Sequence, residues 1–166
     1  TEYKSGDDEY TVYNTYKAIQ SYSSSGTTER YIPKTLREVV INGGNISYGA
    51  FSELMYIQKI TFNGATSIGV DAFRNCYGLA DIIVEGANDS YKSIDGNLYN
   101  KDGTTLILYG IGKTNSSFVI PDSVTTIGKY AFKYALNLQR VTIPAGIKTI
   151  SEGAFYECKA LTEINY

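Results

Sequence analysis

Several residue types on which catalytic sites most often depend are absent or scarce in this chain of 166 residues. It has no His, which removes the commonest general base and the commonest metal ligand. Trp is also absent, and there are only two Cys and one Met. A nucleophilic Ser or Cys activated by His cannot form within the chain. We therefore predict that it is not an enzyme and that it binds no metal and no cofactor.

The chain also lacks an excess of charge and a long hydrophobic run. Its 15 basic and 17 acidic residues give a net charge of −2 and are scattered, so we predict no nucleic-acid binding. No apolar stretch approaches the roughly 20 residues that span a bilayer, so we predict no membrane insertion by this segment. Met55 is internal and the sequence begins at Thr1. We expect the sequence to be an interior piece of a longer protein.

What the chain has in quantity is Tyr and Gly, with 16 of each, and an internal repeat. Four segments align on an Ala-Phe pair, and their Phe residues are 22, 59 and 23 residues apart. An Ile lies five residues before each Phe, and apolar residues lie three, six and nine residues after the Phe. These columns are Ile46, Ile68, Ile127 and Ile150; Phe51, Phe73, Phe132 and Phe155; Leu54, Cys76, Ala135 and Cys158; Ile57, Leu79, Leu138 and Leu161; and Ile60, Ile82, Val141 and Ile164.

The spacing of the columns predicts the structure of one unit. Apolar residues three apart after each Phe indicate a short helical turn. The alternating segments that follow, such as 59–62 and 140–143, indicate half-buried strands. One unit buries too little apolar surface to stand alone, so the units must stack. We predict a repeat solenoid (α/β, mostly β), a right-handed coil with short helical turns and parallel strands near 39–41, 60–62, 82–84, 118–120, 141–143 and 164–166.

The step of 59 residues contains one ordinary unit of 23 and a variant unit of 36. Within the variant unit, Asp102-Gly103 separates two apolar segments and predicts a β-hairpin that replaces the helical turn. Asp95, Asn97, Asn100 and Asp102 could suggest calcium. Their spacing fails the pattern of an EF-hand loop, so we interpret them as turn residues.

The repeats divide the chain. Residues 1–35 lack the Ala-Phe signature and form a Tyr/Ser-rich irregular or atypical repeat segment, with a flexible loop at 21–28 and an extra strand at 10–13. Leucine-rich repeats are predicted over 36–166, in units of about 38–58, 59–80, 81–116 with the hairpin insert, 117–139, 140–162 and a partial unit at 163–166.

Read as Ile-Gly-x-x-Ala-Phe-x-x-Cys-x-x-Leu-x-x-Ile-x-Ile-Pro, the unit resembles the BspA-type leucine-rich repeat of bacterial surface proteins. Residues 127–144 match this pattern closely, with Ala135 at the Cys position, and the resemblance covers 36–166. It implies an extracellular or cell-surface location and adhesion to a protein or glycan of a host or neighbouring cell. The alternative is a structural spacer inside a larger secreted protein whose activity lies in other domains.

Two surfaces are candidates for binding. If Ile60 and Phe62 point inward, alternation turns Thr61 and its equivalents outward. That row is Val40, Thr61, Ile83, Val119, Thr142 and Asn165. It is either a binding face or simply a ladder of residues that favour strands. The second candidate comprises the tyrosines beside the turns, namely Tyr56, Tyr77, Tyr134 and Tyr156, which either contact a partner or cover the convex face.

The two cysteines share one column of the repeat, where Leu54 and Ala135 also occur, so we predict that they fill space in the core. Cys76 and Cys158 belong to units three or more steps apart. At ~4.8 Å per stacked strand they are separated by roughly 14 Å or more. A disulfide tolerates only about 7 Å between Cα atoms, so both are predicted to be free thiols.

Overall fold

The protein is a mostly-β solenoid of stacked repeats. Its structure, a computed structural model, describes residues 16–23, 26–69, 71–86 and 88–166. In this part of the chain there are fifteen strands and no helix, so no helix there could cross a membrane. The strands are β1 (Tyr16–Ser23), β2 (Gly26–Pro33), β3 (Glu38–Ile41), β4 (Gly44–Ile46), β5 (Lys59–Phe62), β6 (Ala65–Ile68), β7 (Asp81–Val84), β8 (Tyr91–Ile94), β9 (Asn97–Asn100), β10 (Thr105–Leu108), β11 (Ser117–Val119), β12 (Thr126–Ile127), β13 (Arg140–Thr142), β14 (Thr149–Ile150) and β15 (Glu163–Asn165).

One wall of the solenoid is built from the strands at the end of each repeat, and their parallel pairing confirms the prediction. β3, β5 and β7 form one three-stranded sheet, and β11, β13 and β15 form another. The sheets are separate because the variant repeat occupies the free edge of β7. There the N–H of Ile82 donates to the carbonyl of Gly96, and the N–H of Val84 donates to the Ser93 hydroxyl.

A second parallel layer contains the Ile column. β4 pairs with β6, so that Ile46 lies beside Ile68. β10, β12 and β14 also pair in parallel, which places Ile127 beside Ile150. In the variant repeat this position is taken by Leu106, which lies beside Ile127.

The variant repeat is a three-stranded antiparallel meander of β8, β9 and β10. The hairpin predicted at Asp102-Gly103 joins β9 to β10 and is confirmed. A second hairpin joins β8 to β9 through Asp95 and Gly96, with φ values of 49° and 68°. Positive φ at both central residues is what a two-residue type I′ turn requires. The sequence contains the same Asp-Gly signal at 95–96 as at 102–103. The observed insert therefore has one strand more than the predicted hairpin.

The segments around each Phe are tight turns, and the predicted short helical turns are not confirmed. Residues two before the Phe have positive φ, namely Gly49, Asp71, Tyr130 and Gly153. Residues two after it also have positive φ, namely Glu53, Asn75, Tyr134 and Glu157. A left-handed residue on each side of the Phe prevents continuation of an α-helix. Hydrogen bonds from residue i to i−3, such as Leu54 to Phe51, close the turns instead.

Most members of the predicted columns lie in the core, where Leu54, Ile57 and Ile60 are completely buried. Ile150 and Ile164 were predicted to be buried but are 46% and 37% exposed, at the edge strands β14 and β15. The residue that takes the Phe position in the variant repeat was not predicted. The N–H of Tyr109 donates to the carbonyl of Ala131, as the N–H of Phe51 does to Ala72. The buried Tyr109 ring lies 5.1 Å from that of Phe132. Tyr109 therefore takes the Phe position in the variant repeat.

Both cysteines are free, as predicted, and each does more than fill space. The Cys76 thiol donates to the carbonyl of Phe51 over 3.1 Å, and the Cys158 thiol donates to the carbonyl of Phe132 over 3.0 Å. Each thiol thereby joins its own repeat to the preceding one. Burial raises the pKa of Cys158, which keeps the thiol protonated and able to donate.

Before the repeats, β1 and β2 form an antiparallel hairpin that pairs Tyr16 with Pro33 and Ser23 with Gly26. The flexible loop predicted at 21–28 was wrong, because most of that segment belongs to these strands. Residues that favour strands, such as the Thr, Tyr and Ile of 26–32, outweigh the Ser content on which the loop prediction relied. The extra strand predicted at 10–13 lies outside the described residues.

Two buried tyrosines predict a loss of stability in alkali. Burial raises the pKa of Tyr99 and Tyr109 from 10.0 to about 12, and the Asp95 charge adds to the effect at Tyr99. Above pH 10 an unfolded chain ionises these phenols while the folded chain does not, so stability falls as pH rises toward 12. Each shift corresponds to about 2–3 kcal/mol. The double variant Tyr99→Phe/Tyr109→Phe should lose less stability than the unmodified protein between pH 10 and pH 12. Urea unfolding at each pH measures the difference.

The control for this prediction is Tyr166→Phe, because Tyr166 is exposed. That variant should follow the unmodified protein through the whole alkaline range. If the double variant also follows it, the two buried phenols do not control alkaline unfolding.

Candidate functional site

The outward row predicted from strand alternation is divided in two by the variant repeat. Val40, Thr61 and Ile83 lie side by side in the first sheet. Val119, Thr142 and Asn165 lie side by side in the second. The row also differs in exposure along its length, since Val40 is 58% exposed and Val119 is 67% exposed.

The prediction that the whole row faces solvent needs correction at Thr61, which is only 6% exposed. Alternation fixes the direction of this side chain, but Val40 and Ile83 flank it directly in the sheet. Branched side chains on neighbouring strands cover a smaller residue between them. The strongly exposed apolar residues of this row are therefore Val40 and Val119, which are isolated from each other, while Ile83 is partly exposed.

Three of the four predicted tyrosines form a continuous row on the side of the solenoid where the tight turns around each Phe lie, which we call the turn side. The Tyr77 and Tyr134 ring centroids are 5.9 Å apart, and those of Tyr134 and Tyr156 are 6.2 Å apart. Tyr130, which the sequence did not single out, joins the row at 6.5 Å from Tyr156. All three contacts are edge-to-face, the arrangement that aromatic quadrupoles favour. We call Tyr77, Tyr134, Tyr156 and Tyr130 the tyrosine row.

The fourth predicted tyrosine, Tyr56, is placed differently. Its ring lies 4.6 Å below the guanidinium carbon of Arg37, a geometry in which a cation is attracted to the ring face. Tyr56 therefore contributes a separate exposed aromatic to the first repeats.

A partly buried ion pair lies beside the tyrosine row. The Lys133 ammonium is 3.2 Å from a carboxylate oxygen of Asp71, and the two side chains are only 14% and 13% exposed. The ammonium also lies 4.4 Å from the Tyr130 ring centroid and 5.6 Å from those of Tyr134 and Tyr156. The carboxylate and the aromatic faces together compensate for the desolvation of the lysine.

The ion pair and the Tyr77–Tyr134 contact both skip a repeat. Asp71 and Tyr77 belong to the Phe73 repeat, whereas Lys133 and Tyr134 belong to the Phe132 repeat. The turn segment of the variant repeat lies between those two repeats in the chain. Side chains from either side can meet only because this segment is recessed, and its single aromatic, Tyr109, is buried.

The recess forms a half-open pocket of about 300 Å³. Its lining is mainly apolar and includes Phe73, Leu98, Ile107, Leu108 and Ile111. Asp71, Lys133, Tyr130 and Tyr134 form its polar margin. The pocket therefore combines an apolar floor with charged and aromatic groups at the opening.

Charged residues around the tyrosine row are paired with each other. Lys129 and Glu152 are 2.8 Å apart, and Lys159 and Glu157 are 3.0 Å apart. The hydrogen bond from Lys129 lowers the pKa of Glu152 and raises that of Lys129. Exposed pairs of this kind add little stability. Tyr77 and Tyr156, which are 37% and 51% exposed, are the most exposed members of the tyrosine row.

The amides considered for calcium serve the meander. The Asn97 side chain donates to the carbonyl of Asp95 and accepts from the N–H of Gly110. The Asn100 side chain bonds Thr104 and Thr105. Asn97 and Asn100 are the first and last residues of β9, and these contacts support the hairpins on either side of that strand. Within the described ranges, no cluster of three or more acidic or Cys side chains could hold a metal ion.

Comparison with known proteins gives a family match. The sequence profile of the BspA type leucine rich repeat region matches six copies, over residues 20–105 and 110–166. The match begins within β1, and between its two parts it omits residues 106–109, which include most of β10 and Tyr109. No curated protein matches the chain.

Solved structures of bacterial leucine-rich repeat proteins share the fold. The pneumococcal vaccine antigen PcpA is 24% identical with a TM-score of 0.64, and the alignment covers 79% of this chain and 39% of that one. A leucine rich cell surface protein of Faecalibacterium prausnitzii is 28% identical with a TM-score of 0.61, covering 79% and 41%. A leucine-rich repeat protein of Eubacterium ventriosum is 21% identical with a TM-score of 0.52, covering 78% and 60%. The chain thus spans less than two thirds of each relative.

Proposed function

The chain belongs to the BspA-type leucine-rich repeat family, and from that premise we propose that it is a non-catalytic binding segment of a cell-surface or secreted protein. Its partner would be a protein or a glycan of a host or neighbouring cell. The similarity to a leucine rich cell surface protein supports the location. The absence of His from the sequence supports a role without catalysis.

The observation that carries this proposal is the tyrosine row. Tyr offers a large contact area with few rotatable bonds, so it loses little entropy when a partner fixes it. Tyr156 is 51% exposed and Tyr77 is 37% exposed, although both rings are already held by neighbouring tyrosines. Preorganised aromatic side chains are typical anchors of binding surfaces.

The spacer alternative has support of its own. The apolar columns are used in stacking, and the outward row Val40, Thr61, Ile83, Val119, Thr142 and Asn165 is discontinuous. A spacer needs only a continuous core and a soluble surface. The two functions differ in one respect: a binding segment depends on particular exposed side chains, whereas a spacer depends on length alone.

The test uses the full-length protein that carries this segment, displayed on bacterial cells, with adhesion measured on immobilised extracellular-matrix proteins and glycans. Tyr77→Ser combined with Tyr156→Ser should weaken adhesion at least about tenfold, because each anchor contributes more than about 1 kcal/mol. Val40→Asp combined with Val119→Asp tests the outward row in the same assay, where a comparable loss would place binding on the sheet face.

The matched control is Tyr48→Ser combined with Tyr166→Ser, since these tyrosines are 68% and 89% exposed and lie outside the row. It should leave adhesion unchanged. If an unrelated spacer of equal length replaces residues 36–166 and adhesion remains normal, the spacer function is correct and the binding proposal fails.

A further inference from the structure

The variant repeat interrupts a regular backbone ladder on the turn side. Elsewhere each turn donates to the next repeat through the residues at and around the Phe. The N–H of Phe51 bonds the carbonyl of Ala72, and the N–H of Glu53 bonds that of Arg74. The Phe132 repeat repeats this pattern, with Phe132 bonding Ala154 and Tyr134 bonding Tyr156. These bonds hold successive turns at one strand spacing.

Beside the recess the ladder is incomplete on both sides. Phe73 and Asn75 occupy the donor positions of their repeat, yet in the described chain their N–H groups bond no carbonyl of the variant repeat. On the opposite side Ala131 accepts from Tyr109, but the carbonyl of Lys133 receives no such donor. The pocket is therefore lined on one side by a repeat with two backbone donors that the ladder does not use, and on the other by a repeat with one unused acceptor.

Two side-chain atoms at the same place are also unsatisfied. The Nε of Arg74 and the Oδ1 of Asn75 are buried and have no hydrogen-bond partner among the described residues. Both residues line the pocket. An unpaired donor and an unpaired acceptor beside a largely apolar recess carry a desolvation cost.

From these observations we propose that the pocket binds an extended peptide segment of a partner protein. One apolar side chain of the peptide enters the floor between Phe73, Leu98 and Leu108. The peptide backbone accepts from the N–H groups of Phe73 and Asn75 and donates to the Lys133 carbonyl, which restores the missing rung of the ladder. This inference rests on the proposed binding function and specifies its partner as a protein.

Size and chemistry favour a peptide. The backbones of the Phe73 and Phe132 repeats flank the variant repeat and are therefore about two strand spacings apart, roughly 10 Å. A single extended chain fits that backbone separation when the Asp71–Lys133 pair and the Tyr77–Tyr134 contact, which cross the opening, move aside. A pocket of about 300 Å³ is at the small end of ligand sites, about 300–1,000 Å³, and suits one large side chain. Addition of an extended peptide to an open hydrogen-bonding edge is an established mode of recognition, in which the backbone supplies affinity and a pocket supplies specificity.

The test measures amide NMR shifts of the full chain on titration with defined probes. The peptide acetyl-Thr-Thr-Phe-Thr-Thr-amide should cause saturable shifts at the amides of Phe73 and Asn75. The peptide with Asp in place of Phe should bind about tenfold more weakly or less, because a carboxylate does not enter an apolar floor. Toluene, which has the ring without the backbone, should also bind about tenfold more weakly than the Phe peptide.

A filling variant gives an independent reading. Leu108→Trp occupies the floor and should weaken the Phe peptide about tenfold, whereas Leu136→Trp, at an exposed position outside the pocket, should not. If Leu108→Trp does not fold, the shift map of the unmodified chain decides alone. Shifts that avoid Phe73 and Asn75, equal binding of the Asp peptide, or equal binding of toluene would overturn the proposal.

The two proposals can fail separately. If the peptide does not bind at the pocket while Tyr77→Ser with Tyr156→Ser still abolishes adhesion, the pocket inference falls and the binding function stands. If the peptide binds as expected but the spacer replacement leaves adhesion normal, the pocket accepts peptides and the segment is still not the adhesive part of the protein.

Discussion

Gly112→Ala is expected to lower the free energy of unfolding by about 3 kcal/mol or more, the upper end of what overpacking costs. A Cβ at Gly112 would overlap the carbonyl group of Gly78 and lie 2.7 Å from the nitrogen of Leu79. The obstacle is backbone, which cannot move aside as a flexible side chain can. The N–H of Gly112 also donates to the carbonyl of Leu79 over 2.7 Å, so relief of the overlap would break a bond between repeats.

Gly146→Ala is the matched control for this prediction. A Cβ there would have only ordinary contacts, 3.7 Å from the carbonyl oxygen of Asp122 and 4.0 Å from that of Val124. Neither Gly112 nor Gly146 has a positive φ, so backbone strain does not complicate the comparison. Urea unfolding monitored by circular dichroism should separate the two variants clearly. Equal stabilities would mean that the variant repeat does not pack closely on the Phe73 repeat.

The sequence could not predict this role of Gly112. In the sequence Gly112 belongs to no column of the repeat, and an isolated glycine in a turn is usually required for positive φ. Here the requirement is close approach of two backbones, which depends on how far the variant repeat is recessed. That depth depends on the meander, whose packing cannot be inferred from the columns of the regular repeats.

The columns themselves were predictable because each position has one environment in every copy. In the regular repeats a strand core residue follows the Phe by nine positions. The variant repeat keeps this spacing, because Phe118 follows Tyr109 by nine. Tyr109 was missed because the preceding column residue, Leu106, is three residues before it instead of five. The signal that could have identified Tyr109 is an aromatic residue nine positions before a strand core residue, the spacing that each Phe of the regular repeats has.

The turns show where spacing alone is ambiguous. Apolar residues three apart fit a helical stripe and also fit a series of i to i−3 turns, so the period did not distinguish them. The distinguishing residues are those beside the Phe, where Gly49, Asp71 and Asn75 adopt the left-handed conformation. Gly, Asn and Asp favour the left-handed conformation. Tyr does not favour it, although Tyr130 and Tyr134 adopt it at the equivalent positions, and these two residues hid the pattern in the sequence.

The tyrosine row could not be aligned from the sequence. Tyr77, Tyr134 and Tyr156 lie four, two and one residues after their Phe, so they belong to different columns. They come together because the turn side of the variant repeat is recessed and lets the Phe73 and Phe132 repeats touch. Periodicity predicts what every repeat shares, whereas this site arises where one repeat differs.

The hydrophobic core is also divided at the variant repeat. One buried cluster extends from Ile46 to Leu98, and a second extends from Tyr99 to Ala154. Leu98 and Tyr99 are consecutive residues of β9, and consecutive residues of a strand point to opposite faces. β9 therefore separates two cores that a solenoid would otherwise join. Stability in stacked repeats is carried by contacts between neighbours, so damage to one cluster should remain largely within it.

Phe132→Ala is the sharpest test of this division. Phe132 is completely buried, and its ring lies 4.8 Å from that of Phe155, 5.1 Å from that of Tyr109 and 5.9 Å from that of Phe118. Removing such a ring should cost about 3–5 kcal/mol. We expect amide hydrogen exchange to accelerate throughout the second cluster while amides of β5 and β7 keep their protection, because local opening follows the cooperative unit that was weakened.

Phe155→Ala is the matched control. Among the described residues its ring contacts a single aromatic, and it is only partly buried, so its removal should cost less than half as much. Uniform acceleration across both clusters would mean that the repeats unfold as one unit and that β9 is not a divide.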